Sequence, residues 1–216
     1  MIFKLNVLDK NIFYISIEEY LNTHEYENVW EEVRFLSYDR KMTRPGEEDH
    51  SSAKNKEGKS LAQRRTVFLA DVYKNNIFSN YLHVHKNFLK QIPKKLQDYL
   101  KDNILFQYFS YCEKSNTLLN YYHQDDSEYE AHQDRSMFTQ IYWLSKDAKN
   151  YTGGELVLPQ YNNHVIEAKD NKMILFPSVI THKVNKITFN TKVDEYMSPG
   201  KMNDKGRYSL VTFYKF

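Results

Sequence analysis

The sequence predicts an α+β fold, with helices first and a jelly roll of short strands after them. Two observations carry that expectation. From Ile104 onward, seven short apolar or alternating runs are broken by turn residues: NTLLNYY, FTQIYWL, GGELVL, HVIEA, KMILF, HKVNKI and RYSLVTFYKF. Short strands at such near-regular spacing form sandwiches or jelly rolls. Ahead of them the apolar residues recur at helical spacing instead. Residues 3–8 (FKLNVL) read as a short strand. Ser16 to Leu36 reads as a helix, with Leu21, Val29, Val33 and Leu36 on one side. Residues 39–63 hold almost no apolar side chains and much charge, the composition of a long mobile loop. Residues 79–101 read as a helix capped by Ser79 and broken at Pro93. The segment 189–206 interrupts the strand rhythm and reads as a loop. One domain is expected over 1–216, mainly helical over 1–103, with the β core and its chemistry over 104–216.

A chain of 216 residues can bury roughly 70% of its unfolded surface in one core. Its 30 basic and 28 acidic residues nearly cancel, so no field for nucleic acid or membrane follows. The single cysteine, Cys112, excludes an internal disulfide and reads as a buried thiol in a reducing compartment. MIFKLNVLDK is charged too early for a secretory leader, and no run of about 18 apolar residues occurs. A cytoplasmic protein off the membrane is the expectation.

The chemistry is carried by residues set far apart. His132 and Asp134 stand two apart in EAHQDRS, and His182 follows in LFPSVITHKV. On a strand, positions i and i+2 share a face. On a helix they would be turned about 200° apart. Two histidines and one carboxylate hold one face of a non-haem Fe(II) ion and leave the other positions open. Zinc is the competing metal. A hydrolytic zinc site, however, gives no reason for Arg207 in the strand GRYSLVTFY. Its planar fork suits a carboxylate, here the far one of 2-oxoglutarate.

These residues also carry a family resemblance. NYYHQDDSEYEAHQD resembles the segment of hypoxia-sensing prolyl hydroxylases in which a tyrosine precedes H-x-D by ten residues. TQIYWLSKD, the GGEL turn, LFPSVITHKV and GRYSLVTFY are similar to the strands that follow there. Over residues 110–216 the chain is therefore similar to the Fe(II)/2-oxoglutarate-dependent dioxygenases, in their prolyl 4-hydroxylase-like branch. The resemblance implies a double-stranded β-helix, a cupin-like jelly roll with the N-terminal helices packed against it. It implies iron on His132, Asp134 and His182, with Arg207 on the cosubstrate's distal carboxylate. Tyr122 and Thr139 would stand beside the cosubstrate, and Tyr129 near the substrate entrance. O2 is the second cosubstrate, and ascorbate an optional reductant. The implied reaction hydroxylates an unactivated C–H, with a prolyl residue of a peptide or protein as substrate, and releases succinate and CO2. Two departures stand out. Trp143 occupies the place of a cosubstrate-contacting tyrosine. Arg207 follows His182 by 25 residues where the family has about ten, so 188–204 reads as an insertion at the site mouth.

Other candidates carry less. EGKS at 57–60 has Ala53 where a phosphate-binding loop needs its first glycine. His83 and His85 would point apart on a helix and read as solvated or interfacial. Arg64, Arg65 and the neighbouring lysines read as a solvated face, with substrate steering as the other reading. Tyr142 and Phe138 read as core aromatics. Free amino acids or other small molecules are the alternative substrates, and a non-catalytic jelly-roll binding protein is the alternative from another class. A nucleic-acid demethylase would need a second arginine six residues after Arg207, where Phe213 stands.

Overall fold

The structure is a computed structural model that describes residues 1–37, 42, 53–62, 64–73, 78–86, 88, 92–125, 127–193 and 204–216. Twelve strands form two antiparallel sheets among the described residues. They are β1 (Ile2–Asp9), β2 (Ile12–Glu18), β3 (Arg65–Phe68), β4 (Lys114–Tyr122), β5 (Ser127–His132), β6 (Phe138–Leu144), β7 (Tyr151–Gly153), β8 (Leu156–Leu158), β9 (His164–Ile166), β10 (Lys172–Pro177), β11 (His182–Phe189) and β12 (Arg207–Lys215). The larger sheet runs β1-β2-β10-β6-β12-β4-β3; the smaller runs β5-β11-β8-β9, with β7 on β11. Two facing sheets of this kind make the jelly-roll core that the strand spacing foretold.

The N-terminal part departs from the expected helical reading. Ser16 to Glu18, read as the start of a helix, instead complete β2, hydrogen-bonded to β1 and β10. The run IFYISIE is buried on both faces, so it shows no alternation that would mark it as a strand. Glu19 then takes a left-handed turn with φ of 53°. Helix α1 (Thr23–Ser37) follows. Asn22 and Glu25 cap it reciprocally: Glu25 N–H donates to Asn22 Oδ1, and Asn22 N–H donates to Glu25 Oε2, both at 3.0 Å. Val29, Trp30, Val33 and Leu36 form its buried stripe. A short helix α2 (Leu69–Val72) continues from β3. Helix α3 (Asn80–His85) is capped as expected by Ser79, whose hydroxyl accepts from Leu82 N–H at 3.1 Å. Pro93 is the N-cap of α4 (Lys94–Asp102), and α5 (Ile104–Gln107) follows it.

Of the two readings for His85, the structure matches the interfacial one and not the solvated one: it is buried among Tyr81, Phe88 and Tyr214. One further expectation is corrected. Cys112 is only half-buried, at the end of a single 3-10 turn, with its thiol on the Tyr108 carbonyl. Tyr142 and Phe138 do lie in the core. Among the described residues no helix is long and apolar enough to cross a membrane.

Candidate active site

His132 closes β5 and His182 opens β11, and the two are paired across the antiparallel ladder. Asp134 lies two residues past the first histidine, where the chain has left the strand. The donor atoms of the three all lie within 4.8 Å of one another. Asp134 Oδ1 is 3.6 Å from His132 Nε2, and Asp134 Oδ2 is 3.5 Å from His182 Nε2. Three bonds of about 2.1 Å at right angles would set donors roughly 3 Å apart, so a modest contraction would close the set on an ion.

The donor set suits a metal for a second reason. His132 Nδ1 lies 2.7 Å from the Glu130 carbonyl, and His182 Nδ1 lies 2.9 Å from the Ile180 carbonyl. A carbonyl can only accept, so each Nδ1 carries the proton and each Nε2 keeps its lone pair. Burial and the nearby His182 push the His132 pKa down to about 4, so its ring is neutral at physiological pH. Thr139 donates to Asp134 Oδ2 at 2.6 Å and fixes the carboxylate. Behind it, Ser178 bridges Thr139 and Ser136.

Arg207 begins β12, opposite Tyr122 in the ladder, and is 2% exposed. Its guanidinium lies 4.9 Å over the Tyr122 ring. One N–H, on Nη2, donates to the Gly154 carbonyl at 2.7 Å. Nε and Nη1 are buried without a hydrogen-bond partner. A buried guanidinium left with free donors is costly unless an anion completes it. Gly154 is required here: its φ is +75°, and a Cβ would come within 2.8 Å of Arg207 Nε. Trp143 Nε1 is likewise buried without a partner. The indole thus offers one N–H where the resemblance led us to expect a tyrosine hydroxyl.

One cavity joins the triad to Arg207, and all eight residues singled out from the sequence line it. Ile187 of β11, the strand that His182 opens, lies against the Gly154 position beside Arg207. Residues 110–215 match the family described as the 2OG-Fe(II) oxygenase superfamily. The chain belongs to that superfamily. No curated protein matches the sequence.

Solved structures share the oxygenase's fold at low identity. A prolyl-4-hydroxylase from Pseudomonas putida aligns at TM-score 0.58 and 14% identity, covering 94% of this chain and 91% of that one. A prolyl hydroxylase from Trichoplax adhaerens, solved with a hypoxia inducible factor peptide fragment, aligns at TM-score 0.58 and 14% identity over 96% and 85% of the two chains. OsALKBH1 aligns at TM-score 0.50 and 13% identity over 99% and 100%. The oxygenase uses Fe(II), 2-oxoglutarate and O2, and its donor set and buried arginine fit the first two.

Among the lining residues that the sequence reading did not place in the site is a charged one, Arg64. Arg64 is not on a solvated face; it is 3% exposed and lines the same cavity, and Arg65 is equally buried. The guanidinium of Arg64 sits 4.8 Å over the Tyr129 ring, which stacks on His132 at 3.6 Å. Tyr129 therefore stands between Arg64 and the metal-facing imidazole, and its hydroxyl accepts from Ala53 N–H at 2.8 Å. The TVF strand after Arg65 was the available signal, since it turns a charged run into a sheet edge beside β4.

Proposed function

We propose that this chain is an Fe(II)- and 2-oxoglutarate-dependent dioxygenase that hydroxylates an unactivated C–H, with a prolyl residue of a peptide or protein as its substrate. The observation that carries the reaction is the single cavity that joins a two-histidine, one-carboxylate triad to a buried arginine with unpartnered donors. The prolyl hydroxylases that share the fold support the substrate reading.

When bound, the iron and its cosubstrate supply O2 activation, with release of succinate and CO2. The chain's own residues bind and orient. His132 and His182 turn their Nε2 atoms toward the metal position, their rings held by the Glu130 and Ile180 carbonyls. Asp134 adds one negative charge, held by Thr139. Arg207 and Trp143 present N–H donors to the cosubstrate's far carboxylate. The apolar walls, Leu118, Ile141, Leu156 and Val211, keep water out. Phe213 lines the cavity where a demethylase of the AlkB type would need its second arginine.

The test is succinate formation with Fe(II) and 2-oxoglutarate across proline-containing peptides, free proline and methylated oligonucleotides. Asp134→Ala should abolish Fe(II)-dependent turnover while the fold survives. Arg207→Ala should raise the KM for 2-oxoglutarate by about tenfold to a hundredfold, the worth of one charged hydrogen bond. Wild-type decarboxylation by Asp134→Ala would overturn the triad assignment, and an unchanged KM in Arg207→Ala would remove the anchor.

A further inference from the structure

We infer that Asn150 is a positioning residue for the cosubstrate anchor. It holds the chain that enters β12, so that the Arg207 fork meets the far carboxylate of 2-oxoglutarate. The inference rests on the dioxygenase reading above and adds to it a residue that acts through Arg207.

Arg207 is the first residue of β12, and the segment read as an insertion, 188–204, comes just ahead of it. The ladder to β4 includes Arg207, but the ladder to β6 begins only at Tyr208. A strand end paired on one side is where a sheet opens first. A longer connection before it adds closure entropy that the contacts at its ends must offset. An anchor, however, has to hold its fork within roughly 0.5 Å of the working geometry. The chain ahead of Arg207 therefore needs a hold of its own.

Asn150 supplies that hold. It is 4% exposed and closes the 3-10 turn Ala148–Asn150. Its Nδ2 donates at 3.1 Å to the carbonyl of Lys205, two residues before Arg207. Its Oδ1 accepts from the Thr191 N–H at 3.2 Å and from the Thr191 hydroxyl at 2.7 Å. A carbonyl only accepts and a backbone N–H only donates, so these partners fix which way the amide points. One side chain thus ties the chain leaving β11 to the chain entering β12, although Thr191 and Lys205 stand 14 positions apart. Next, Gly206 lies against the Tyr121 ring, and a Cβ there would collide with it. Arg207 follows, with Nη2 on the Gly154 carbonyl and with Nε and Nη1 left for a ligand.

The two sides of this clamp are not equal. On the β11 side, Asn190 keeps its bonds to the Asn150 and Lys149 carbonyls whatever side chain stands at 150. That strand is also paired with β5, β7 and β8. On the β12 side, the bond to Lys205 is lost with the amide. The loss should be felt at Arg207 and not at the metal triad.

Two variants test this. Asn150→Asp keeps the size and the acceptor toward Thr191 but sets an oxygen against the Lys205 carbonyl. Asn150→Ala removes both bonds and adds no charge. Calorimetry on the whole chain measures Mn(II) affinity, then 2-oxoglutarate affinity at saturating Mn(II). Each variant should bind 2-oxoglutarate about two- to tenfold more weakly, the contribution of one neutral hydrogen bond, with Mn(II) affinity unchanged. In an Arg207→Gln background the same changes should add nothing, because the fork they disturb is gone. Circular dichroism and melting temperature show whether each variant is folded. A folded variant with wild-type affinity for 2-oxoglutarate overturns the inference. So does a parallel loss of Mn(II) affinity, or an equal further loss in the Arg207→Gln background, since either would make Asn150 a general structural residue. Failure of both variants to fold overturns it as well. Failure of the dioxygenase reading shows separately, as a wild type that binds no 2-oxoglutarate, and the inference falls with it.

Discussion

At the scale of the residue, the site depends on which atoms are already occupied. Each metal-facing histidine spends its Nδ1 proton on a backbone carbonyl, and Asp134 receives its bond from Thr139. Thr139 makes a second bond to Ser178 at 2.8 Å, so its hydroxyl is fixed rather than free to rotate. Thr139→Val keeps the shape and removes the donor. It should leave Asp134 free to turn and lower Fe(II) affinity by about tenfold or more, with a smaller change in the KM for 2-oxoglutarate. Titration of the apoprotein with Fe(II) under argon reads the first quantity directly. An affinity equal to wild type would mean that Asp134 is held by other contacts. The clustering of His132, Asp134 and His182 was legible because H-x-D at a strand end is a local pattern, although Asp134 itself lies past the end of β5. Arg64 was not placed in the site, because its burial comes from β3 pairing with β4, for which the short TVF run was the one signal, and from the Tyr129 ring, which is remote in sequence.

At the scale of the element, the segment expected to be a long mobile loop is in part a hairpin paired to β5. Of residues 39–63, Met42, 53–62 are described, and the others lie outside the described residues. Residues 53–62 form a small hairpin, with Lys54 bridged to Ser60 and Gly58 at φ of +81° in its turn. The hairpin docks on β5: Ala62 bridges to Tyr129, and Glu130 N–H donates to the Leu61 carbonyl at 3.0 Å. Composition misleads here because backbone pairing needs no apolar side chains. Much of the 188–204 insertion lies outside the described residues; its first two residues complete β11. The β core was legible from short runs bounded by turns, whereas β2 was not, because a strand buried on both faces has no alternation to show. The Tyr129 hydroxyl that accepts from Ala53 N–H is the tie from hairpin to site. Tyr129→Phe keeps the ring on His132 and loses that acceptor. A neutral hydrogen bond contributes about 0.5–1.5 kcal/mol, so opening of the hairpin should rise by roughly two- to tenfold. Limited trypsin digestion at Lys54, Lys56 and Lys59 measures it. An unchanged cutting rate would show that the strand pairing alone holds the hairpin.

At the scale of the whole molecule, the helical layer is joined to the larger sheet by a buried polar ring. Tyr214 donates to Gln140 Oε1 at 2.9 Å, and Gln140 Nε2 reaches His85 Nδ1 at 3.1 Å. His85 Nε2 closes the ring on Tyr214. The donors run in one direction only if His85 is neutral, with its proton on Nε2. A second proton on Nδ1 would face the Gln140 amide, donor against donor. Burial pushes the His85 pKa down to about 4, and the ring adds a geometric reason for the same direction. Above pH 6.5 the histidine is neutral in both folded and unfolded chains and contributes no pH dependence. Between pH 6.5 and 4 the unfolded chain takes up a proton that the folded one refuses, so stability falls as pH falls. The slope from this one group is at most about 1.4 kcal/mol per pH unit. Burial raises the carboxyls of Glu32 and Asp170, which work in the opposite direction. They are present in wild type and variant alike, so the difference between the two isolates His85. His85→Gln should melt below wild type at pH 7.5, because the ring is broken. It should then lose less stability than wild type between pH 6.5 and 4.5. Melting temperature followed by circular dichroism across that range decides it: parallel curves for the two proteins would mean that His85 takes up its proton without opening the ring.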